Sequence, residues 1–160
     1  MNNTFLEKRA LHIRRATEAD FPRLVEMITA LAAFNDDQAV IRLDDLRRDL
    51  LGPSSWLVVI VASIHTSLIG YAALCPLVRL QFGQRGMDIH HLFVEAAHRG
   101  QGVGKALIQA SFQEAQALGC SYAKISTSAS NHAAQNVYWA NGFEIEEVRG
   151  PRFRIQLKST

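Results

Sequence analysis

Three glycines at alternate positions lie between a predicted strand and a predicted helix, in the segment Arg99-Gly100-Gln101-Gly102-Val103-Gly104-Lys105. Glycine lets a backbone turn tightly and approach a ligand without a Cβ in the way. Where a helix begins after such a turn, its first N–H groups are unpaired and its dipole favours an anion. Arg99 and Lys105 add positive charge, so the segment predicts a pyrophosphate site. A glycine-rich turn that binds nothing stays open, and the spacing matches neither a nucleotide-triphosphate loop nor a dinucleotide fingerprint.

Hydrophobic periodicity on both sides of this loop predicts an α/β domain on a mixed sheet of about six or seven strands, with helices on both faces. The predicted order of elements is β-α-α-β-β-β-α-β-α-β-β. The predicted strands are Leu11–Arg15, Trp56–Ile64, Leu68–Cys75, Met87–Glu95, Tyr122–Thr127 and two more in the tail, with a turn at Gly83–Gly86. The predicted helices are Leu43–Leu51 and Asn131–Ala140, one that begins near Phe21 after Thr17-Glu18-Ala19-Asp20, and one from Val103 to Gly119.

Composition limits the class of protein. The chain has 160 residues, 48% hydrophobic and 20% charged, which is typical of one globular domain over residues 1–160. A formal charge of +2 does not indicate the clustered basic face of a nucleic-acid-binding protein. Residues 1–10 are polar, are expected to be flexible and lack the apolar stretch of a signal peptide. The longest apolar run, Trp56–Ala62, suits a buried strand, so we expect a cytoplasmic protein that binds neither membrane nor nucleic acid.

Two motifs on either side of the next predicted strand resemble those of the GNAT N-acetyltransferase superfamily. His91-Leu92-Phe93-Val94 followed by Arg99-x-x-Gly102-x-Gly104 resembles its acetyl-CoA motif. Asn131-x-x-Ala134-x-x-x-Tyr138 with Asn141-Gly142-Phe143 resembles its second cofactor motif, and residues 13–17 resemble its opening strand and turn. The resemblance covers nearly the whole chain.

This resemblance implies a fold and a co-substrate. The sheet is expected to splay between Met87–Glu95, with a bulge, and Tyr122–Thr127. The pantetheine arm of acetyl-CoA lies in that gap and pairs with the backbone of residues 92–94, the acceptor amine enters from the opposite side, and many members are homodimers. The implied cofactor-binding residues are Leu92, Phe93, Val94, Arg99, Gly100, Gln101, Gly102, Val103, Gly104, Lys105, Asn131 and Tyr138.

Residues 31–35 and 43–50 are similar to the diamine and polyamine (spermidine/spermine-like) branch of this superfamily. That branch has an acidic pair before its Phe-Val, where this sequence has His90-His91. The family often lines its acceptor pocket after the first helix, which makes Phe34 and Asp36 candidate substrate-binding residues. Carboxylates there could attract a cationic amine, and a solvated loop is the alternative.

Acetyl transfer to an amine needs a neutral amine, a donor to the oxyanion and a proton for the thiolate. We predict that the donor is a backbone N–H near Phe93 or Val94, because a bulged strand leaves such groups unpaired. Tyr138 is the predicted general acid, since an ordinary phenol pKa of about 10 lies not far above the thiol value of about 8.5. A core aromatic residue is the alternative for Tyr138, and a helix N-cap is the alternative for Asn131.

His90 and His91 are neighbours on a strand, so their side chains are expected to point to opposite faces. The same alternation places His90 with Leu92 and Val94, and His91 with Phe93, unless a bulge shifts the register. His90 is the candidate base or substrate contact, because imidazole accepts protons near neutral pH. A structural histidine is the alternative. His91 is expected to be buried and hydrogen-bonded, and no metal site is predicted because side chains on opposite faces chelate one ion poorly.

The leading hypothesis is an acetyltransferase acting on a primary amine of a small molecule, such as a polyamine, an amino-acid derivative or a drug-like amine. A protein N-terminal or lysine acetyltransferase is the enzymatic alternative. A non-catalytic acyl-CoA-binding sensor is an alternative of another class, against which the presence of Tyr138 argues.

Overall fold

The computed structural model describes residues 10–159, so the predicted flexibility of residues 1–10 falls, apart from Ala10, outside the described residues. The strands are β1 (Leu11–Arg15), β2 (Val58–Ile64), β3 (Ser67–Arg79), β4 (Gln84–Val94) and β5 (Cys120–Ile125). The helices are α1 (Phe21–Phe34), α2 (Leu43–Leu46), α3 (Val103–Ala117) and α4 (His132–Ala140), and a π-helical segment, Arg47–Leu51, continues α2. No helix within residues 10–159 has the length and apolar character needed to cross a bilayer.

The strands follow one another across the sheet in chain order, from β1 to β5. The pairs β1–β2, β2–β3 and β3–β4 are antiparallel, whereas the pair β4–β5 is parallel. A parallel neighbour requires a crossover connection, and here the glycine loop and α3 supply it. The mixed α/β sheet is therefore confirmed, and its crossover places the start of α3 just beyond the end of β4.

Helices cover both faces of the sheet, as predicted. On the α1 face the core contains Phe21, Leu24 and Met27 of α1, Leu46 of α2, Tyr71 of β3 and Phe93 of β4. On the α3 face it contains Val103 and Leu107 of α3 with Leu74, Met87 and Ile89 of the strands. Each face of the central strands is thus buried, which explains their nearly continuous apolar sequences.

The first helix begins where the sequence predicts. The Asp20 carboxylate accepts hydrogen bonds from Thr17 N at 2.7 Å and from Arg14 Nη1 at 2.6 Å, and Pro22 occupies the first turn. The hydrogen bond from Arg14 is the largest reason that the pKa of Asp20 lies below its usual value. The ion pair fixes the end of β1 to the start of α1.

The hairpin formed by β3 and β4 is longer than predicted, because β3 continues to Arg79 and β4 begins at Gln84. The turn therefore lies at residues 80–83 and not at Gly83–Gly86. Gly86 pairs with Leu77 inside the ladder, and a Cβ on it would lie 2.2 Å from Cζ of Tyr122. The glycine that suggested a turn is instead required by the ring that packs over it.

Residues 143–159 form no strand, so the two predicted tail strands are wrong and the described sheet has five strands rather than six or seven. Phe143 packs against Phe112, with ring centres 5.5 Å apart, and Glu146 pairs with Arg79 and Lys124. Most apolar side chains farther along the tail are exposed. Alternation in a sequence shows which side chains would share a face, but a strand also needs a neighbouring edge to pair with.

Candidate active site

The sheet opens between β4 and β5. The two strands pair from Arg85–Cys120 to Ile89–Ile125, where β5 ends, before the predicted Thr127. Beyond the bulge at His90, residues 91–94 of β4 continue and pair with β3 alone in the described chain. Their other side therefore presents backbone N–H and C=O groups to the gap. An extended ligand can pair with such an edge like an additional strand.

The glycine loop enters α3 through two residues of positive φ, Gly100 (71°) and Gly102 (85°), a conformation that other L-residues rarely adopt. A Cβ at either position would meet no atom within 4 Å, so glycine is needed here for backbone conformation and not for space. Ala106 N donates to the carbonyl oxygen of Gly102 at 3.0 Å. The N–H groups of residues 103–105 precede this bond and lie in the first turn, where an anion binds.

Two side chains of the loop fasten it to the end of β4. Arg99 Nε donates to the carbonyl oxygen of Val94 at 2.9 Å. Gln101 Nε2 donates to the carbonyl oxygen of Ala97 at 3.1 Å. These bonds fix the loop conformation, while exposed Arg99 and Lys105 supply positive charge beside the helix start.

The two predicted acceptor-binding residues, Phe34 and Asp36, lie at and just after the end of α1. Phe34 ends α1, and its ring centre lies 5.7 Å from the Arg99 guanidinium, within cation–π range. Asp36 is exposed, with a φ of 59°. The structure thus brings Phe34 to the candidate cofactor loop, whereas Asp36 lies in a solvated turn.

A β-bulge at His90 sets the geometry of the two histidines. Successive residues of β3, Ala73 and Leu74, pair with His91 and Ile89, so His90 is an extra residue on β4. The rings of His90 and His91 stack, with centres 4.5 Å apart and planes 13° apart. The prediction that these side chains point to opposite faces is therefore wrong, because the bulge interrupts the alternation of the strand.

The histidine pair lies on the α1 face. His91 contacts Tyr71 of the α1-face core, whereas Leu92 and Val94 pack on the α3 face. Alternation had placed His90 with Leu92 and Val94, and the bulge moves it to the other face. Both histidine rings therefore lie on one face, contrary to the expectation on which the absence of a metal site was predicted. Within residues 10–159, no group of three or more His, Cys, Asp or Glu is placed to hold a metal ion.

His90 is the accessible member of the pair, with 56% of its side chain exposed. Its Nδ1 lies 3.9 Å from Oδ2 of Asp88, on the same strand. Burial raises the pKa of Asp88, an effect that His90 and Lys124 oppose. The candidate base therefore stands beside a half-buried carboxylate.

His91 is mostly buried and hydrogen-bonded, as expected. Its Nδ1 lies 3.0 Å from the hydroxyl oxygen of Tyr71, which is fully buried. Burial is the main cause that lowers the pKa of His91 to about 4, and the neighbouring His90 adds to the effect. Burial also raises the pKa of Tyr71. With a pKa of about 4, His91 is a weak proton acceptor at neutral pH, and the neutral phenol of Tyr71 is weaker still, so neither is the candidate base.

Tyr138 lies on α4, half-buried, with its ring 5.9 Å from that of Phe143. Burial raises the pKa of its hydroxyl, and the Thr127 side chain partly opposes the rise. The phenol therefore stays protonated at neutral pH and is a poorer acid than the sequence alone suggests. Tyr138 follows β5 and His90 lies on β4, so the two candidate catalytic residues belong to the segments that border the opening.

Asn131 caps α4. Its side-chain oxygen accepts a hydrogen bond from Ala134 N at 3.1 Å, which confirms the helix N-cap alternative. The cap fixes the start of the helix that carries Tyr138. A cofactor contact by Asn131 stays a prediction.

Sequence reasoning missed Tyr71 and Asp88. Tyr71 lies in a nearly continuous apolar strand and reads as a core residue, and only the register between β3 and β4 shows that its hydroxyl reaches His91. Asp88 gave a usable signal, because a carboxylate between Met87 and Ile89 in a predicted strand is costly to bury without a role.

A cavity of about 740 Å³ lies away from the opening. It lies between the start of α1, the β2–β3 turn and the end of β4, and an ion pair of Arg23 with Glu95 borders it. His98 also lines it. None of the predicted catalytic residues does, so this cavity is separate from the candidate active site.

Comparison with known proteins agrees with this geometry. The model of the acetyltransferase (GNAT) family matches residues 16–143. The probable N-acetyltransferase family 8 member 5 of Mus musculus is 35% identical over 84 residues, which are 52% of this chain and 37% of that protein. This chain therefore spans well under half of that relative. The thialysine N-epsilon-acetyltransferase of Sus scrofa is 27% identical over 149 residues, 86% of this chain and 87% of that protein.

The fold is shared with solved acetyltransferases. The crystal structure of an aminoglycoside acetyltransferase from an uncultured soil metagenomic sample superposes with a TM-score of 0.77. The match covers 96% of this chain and 99% of that one, at 22% sequence identity. Since the family model spans most of the chain and the sheet, opening and glycine loop lie where the motifs predict, the chain belongs to the GNAT family of acetyltransferases.

Proposed function

We propose that this acetyltransferase moves the acetyl group of acetyl-CoA to a primary amine of a small molecule. The observation that carries the proposal is that the anion-binding start of α3 adjoins the unpaired edge of β4 at the opening of the sheet. Acetyl-CoA has a pyrophosphate followed by an extended arm with two amides. The first feature suits the pyrophosphate and the second suits the arm.

The glycine loop is the proposed pyrophosphate site. The N–H groups of residues 103–105 point out of the first turn of α3, and Gly100 and Gly102 shape the backbone that precedes them. Arg99 and Lys105 add charge, and the Gln101 bond to Ala97 keeps the loop closed. Leu92 to Val94 offer the arm a backbone edge, and an N–H near Phe93 or Val94 is the proposed oxyanion donor.

His90 is the proposed base. An alkylamine of pKa about 10.4 is almost wholly protonated at pH 7, and deprotonation costs about 4–5 kcal/mol. An exposed imidazole at the bulge can accept this proton directly or through water, and the nearby Asp88 carboxylate stabilises the resulting imidazolium. Holding amine and thioester in contact offsets most of the remaining barrier, an effect of up to about 7–11 kcal/mol.

Tyr138 is the proposed acid that protonates the departing thiolate. The raised pKa keeps its hydroxyl protonated until the thiolate forms. Its position on α4, the helix that follows β5, supports this assignment.

A small-molecule acceptor is favoured by two observations. The relative aligned over most of both chains is named for a small amine, thialysine. Phe34 lies beside the cofactor loop at the end of α1, with Asp36 close by in sequence, where an aromatic ring and a carboxylate can receive an ammonium group.

The test is CoA thiol release from acetyl-CoA with a panel of acceptors: polyamines, lysine analogues, aminoglycosides, and peptides with a free N-terminus or lysine. We expect release that depends on a small amine, with His90→Ala losing the ascending limb of the pH–rate profile and the exposed His12→Ala keeping it. Release with peptides alone would indicate a protein acetyltransferase. Acetyl-CoA binding without transfer to any amine would indicate a sensor, and either result would contradict the proposal.

A further inference from the structure

The contact between Tyr71 and His91 joins the α1-face core to the bulge. Tyr71 is 0% exposed and pairs in the ladder with Phe93, yet its hydroxyl oxygen lies 3.0 Å from Nδ1 of His91. The Tyr71 and His91 rings meet edge to face, with centres 6.0 Å apart at 68°. A buried polar contact in an apolar cluster indicates that the hydrogen bond has a defined direction.

The direction of this bond follows from what each group must satisfy. Among the described residues, Nδ1 of His91 is the one hydrogen-bond partner of the Tyr71 hydroxyl. If Nδ1 carried the ring proton, it would donate to the phenol oxygen, and the phenol hydrogen would lack an acceptor among apolar neighbours. If Nδ1 is bare, the phenol donates to it and both groups are satisfied. The second arrangement places the imidazole proton on Nε2.

A neutral His91 leaves the stacked ring of His90 without a like charge beside it. The two imidazole planes are nearly parallel at 4.5 Å, where two positive charges would repel each other. The burial that lowers the pKa of His91 to about 4 agrees with this assignment. The ionisable groups beside the pair are Tyr71 of β3, which bonds His91, and Asp88 of β4, which lies near His90. Cys75 and Lys124 interact with Asp88, and the α1 and α2 residues of this core are apolar.

We propose that Tyr71 is a positioning residue, which donates to Nδ1 of His91 and fixes it as the neutral Nε2–H tautomer, so that the flat His91 ring holds His90 at the bulge as the proton acceptor. In the reaction an ammonium N–H bond breaks, its proton moves to a ring nitrogen of His90, and the nitrogen lone pair becomes free to attack the thioester. The imidazolium then loses that proton to water. The tautomer of His91 is independent of the proposed function, whereas the role of His90 rests on it.

Nuclear magnetic resonance of ¹⁵N-histidine tests the tautomer without any substrate. We expect His91 of the wild type to show the Nε2–H pattern from pH 5 to 9, and Tyr71→Phe to show a mixture of tautomers, because Nδ1 has lost its donor. Tyr122→Phe is the matched control, since Tyr122 lies over Gly86 with Arg79 above its ring and does not contact His91. A wild-type Nδ1–H pattern, or a Tyr71→Phe pattern identical to wild type, overturns the proposal. If Tyr71→Phe does not fold, the wild-type spectrum decides.

Kinetics test the consequence for the site. Tyr71→Phe should lower kcat about tenfold with KM for acetyl-CoA nearly unchanged, and should displace the ascending limb of the pH profile, because the base is held less well. A change confined to thermal stability, with kcat and the pH profile of the wild type, would reject the positioning role. If no amine is acetylated but the tautomer is Nε2–H, the proposed function fails and the tautomer assignment stands. If a small amine is acetylated but His91 shows the Nδ1–H pattern, the tautomer assignment fails and the proposed function stands.

Discussion

At the scale of single residues, the burial of His91 makes stability depend on pH. The pKa of His91 is about 4 in the folded chain, whereas an unburied histidine has a pKa of 6.5. Between these two pH values the unfolded chain therefore binds the proton more readily than the folded chain. This contribution to stability is full above pH 6.5 and is lost as the pH falls towards 4. Integrated over that interval it amounts to about 3 kcal/mol in the free energy of unfolding.

Urea denaturation at several pH values measures this slope. His91→Gln removes the titrating group. Between pH 6.5 and 4 its free energy of unfolding should therefore fall by about 3 kcal/mol less than that of the wild type. His12→Gln, at an exposed position of β1, is the matched control and should keep the wild-type slope. Equal slopes for the wild type and His91→Gln would show that His91 is not buried as a neutral group.

For Tyr138, one substitution separates the proposed role of the hydroxyl as an acid from the packing of the ring. Tyr138→Phe keeps the ring against Phe143 and removes only the hydroxyl, so turnover should fall about 100-fold while KM for acetyl-CoA stays within about twofold. Tyr122→Phe again serves as control. Steady-state kinetics from pH 6 to 9 measure both, and wild-type turnover across that range would exclude Tyr138 as the acid.

The residue scale is also where sequence reasoning reached its limit. Alternation along β4 assigns each side chain to a face of the sheet only where every residue of β4 pairs with one residue of β3. One extra residue at His90 breaks that rule, and nothing in Ile89-His90-His91-Leu92 marks the position. The bulge was expected from the family resemblance alone, and the Tyr71 hydrogen bond depends on a register that a single strand does not encode.

At the scale of elements, the glycine loop and α3 act together, which Gly102 can test. With φ at 85°, alanine at this position is strained by about 1–2 kcal/mol and shifts the backbone that leads into the first turn of α3. Gly102→Ala should therefore weaken acetyl-CoA binding at least about tenfold, since anion binding there depends on aligned N–H groups. Isothermal titration calorimetry measures the affinity.

The other end of the same helix provides the control. Gly119 has a φ of 78° and, like Gly102, no atom within 4 Å of an added Cβ, so Gly119→Ala carries similar backbone strain. It should lower Tm as much as Gly102→Ala does and leave the affinity for acetyl-CoA unchanged. Equal affinity losses in both variants would mean that general destabilisation, and not the loop, governs binding.

Elements were predictable where local sequence contains the cause. The Thr17–Asp20 cap and Pro22 start α1, and the strand–glycine loop–helix unit needs only residues within it. The errors arose where the cause lies elsewhere in the chain. Gly86 resembled a turn residue because the Tyr122 ring that requires it is distant in sequence, and the tail alternates like a strand without an edge to pair with.

At the scale of the whole molecule, the end of the described chain carries several exposed apolar side chains. Phe153, Ile155 and Leu157 alternate with polar residues in the tail and are 92%, 82% and 79% exposed. β5 ends the described sheet, so its outer side is an edge. Exposed apolar side chains and an unpaired edge are typical of an interface, and the family resemblance leads us to expect a homodimer.

We propose that two copies of the chain cover these tails. Burial of each of the three side chains contributes roughly 1.5–3 kcal/mol, so the two tails of a dimer contribute roughly 9–18 kcal/mol, against an association cost of about 4–15 kcal/mol. We therefore expect sedimentation velocity to give about twice the chain mass of 17.8 kDa at micromolar concentration.

Phe153→Asp combined with Ile155→Asp should shift the protein to the monomer, because each carboxylate would be buried without a partner. Val40→Asp, at an exposed apolar residue of the loop between α1 and α2, should remain dimeric. A monomeric wild type, or a tail variant that dimerises like the Val40 control, would place the dimer contact elsewhere or exclude it.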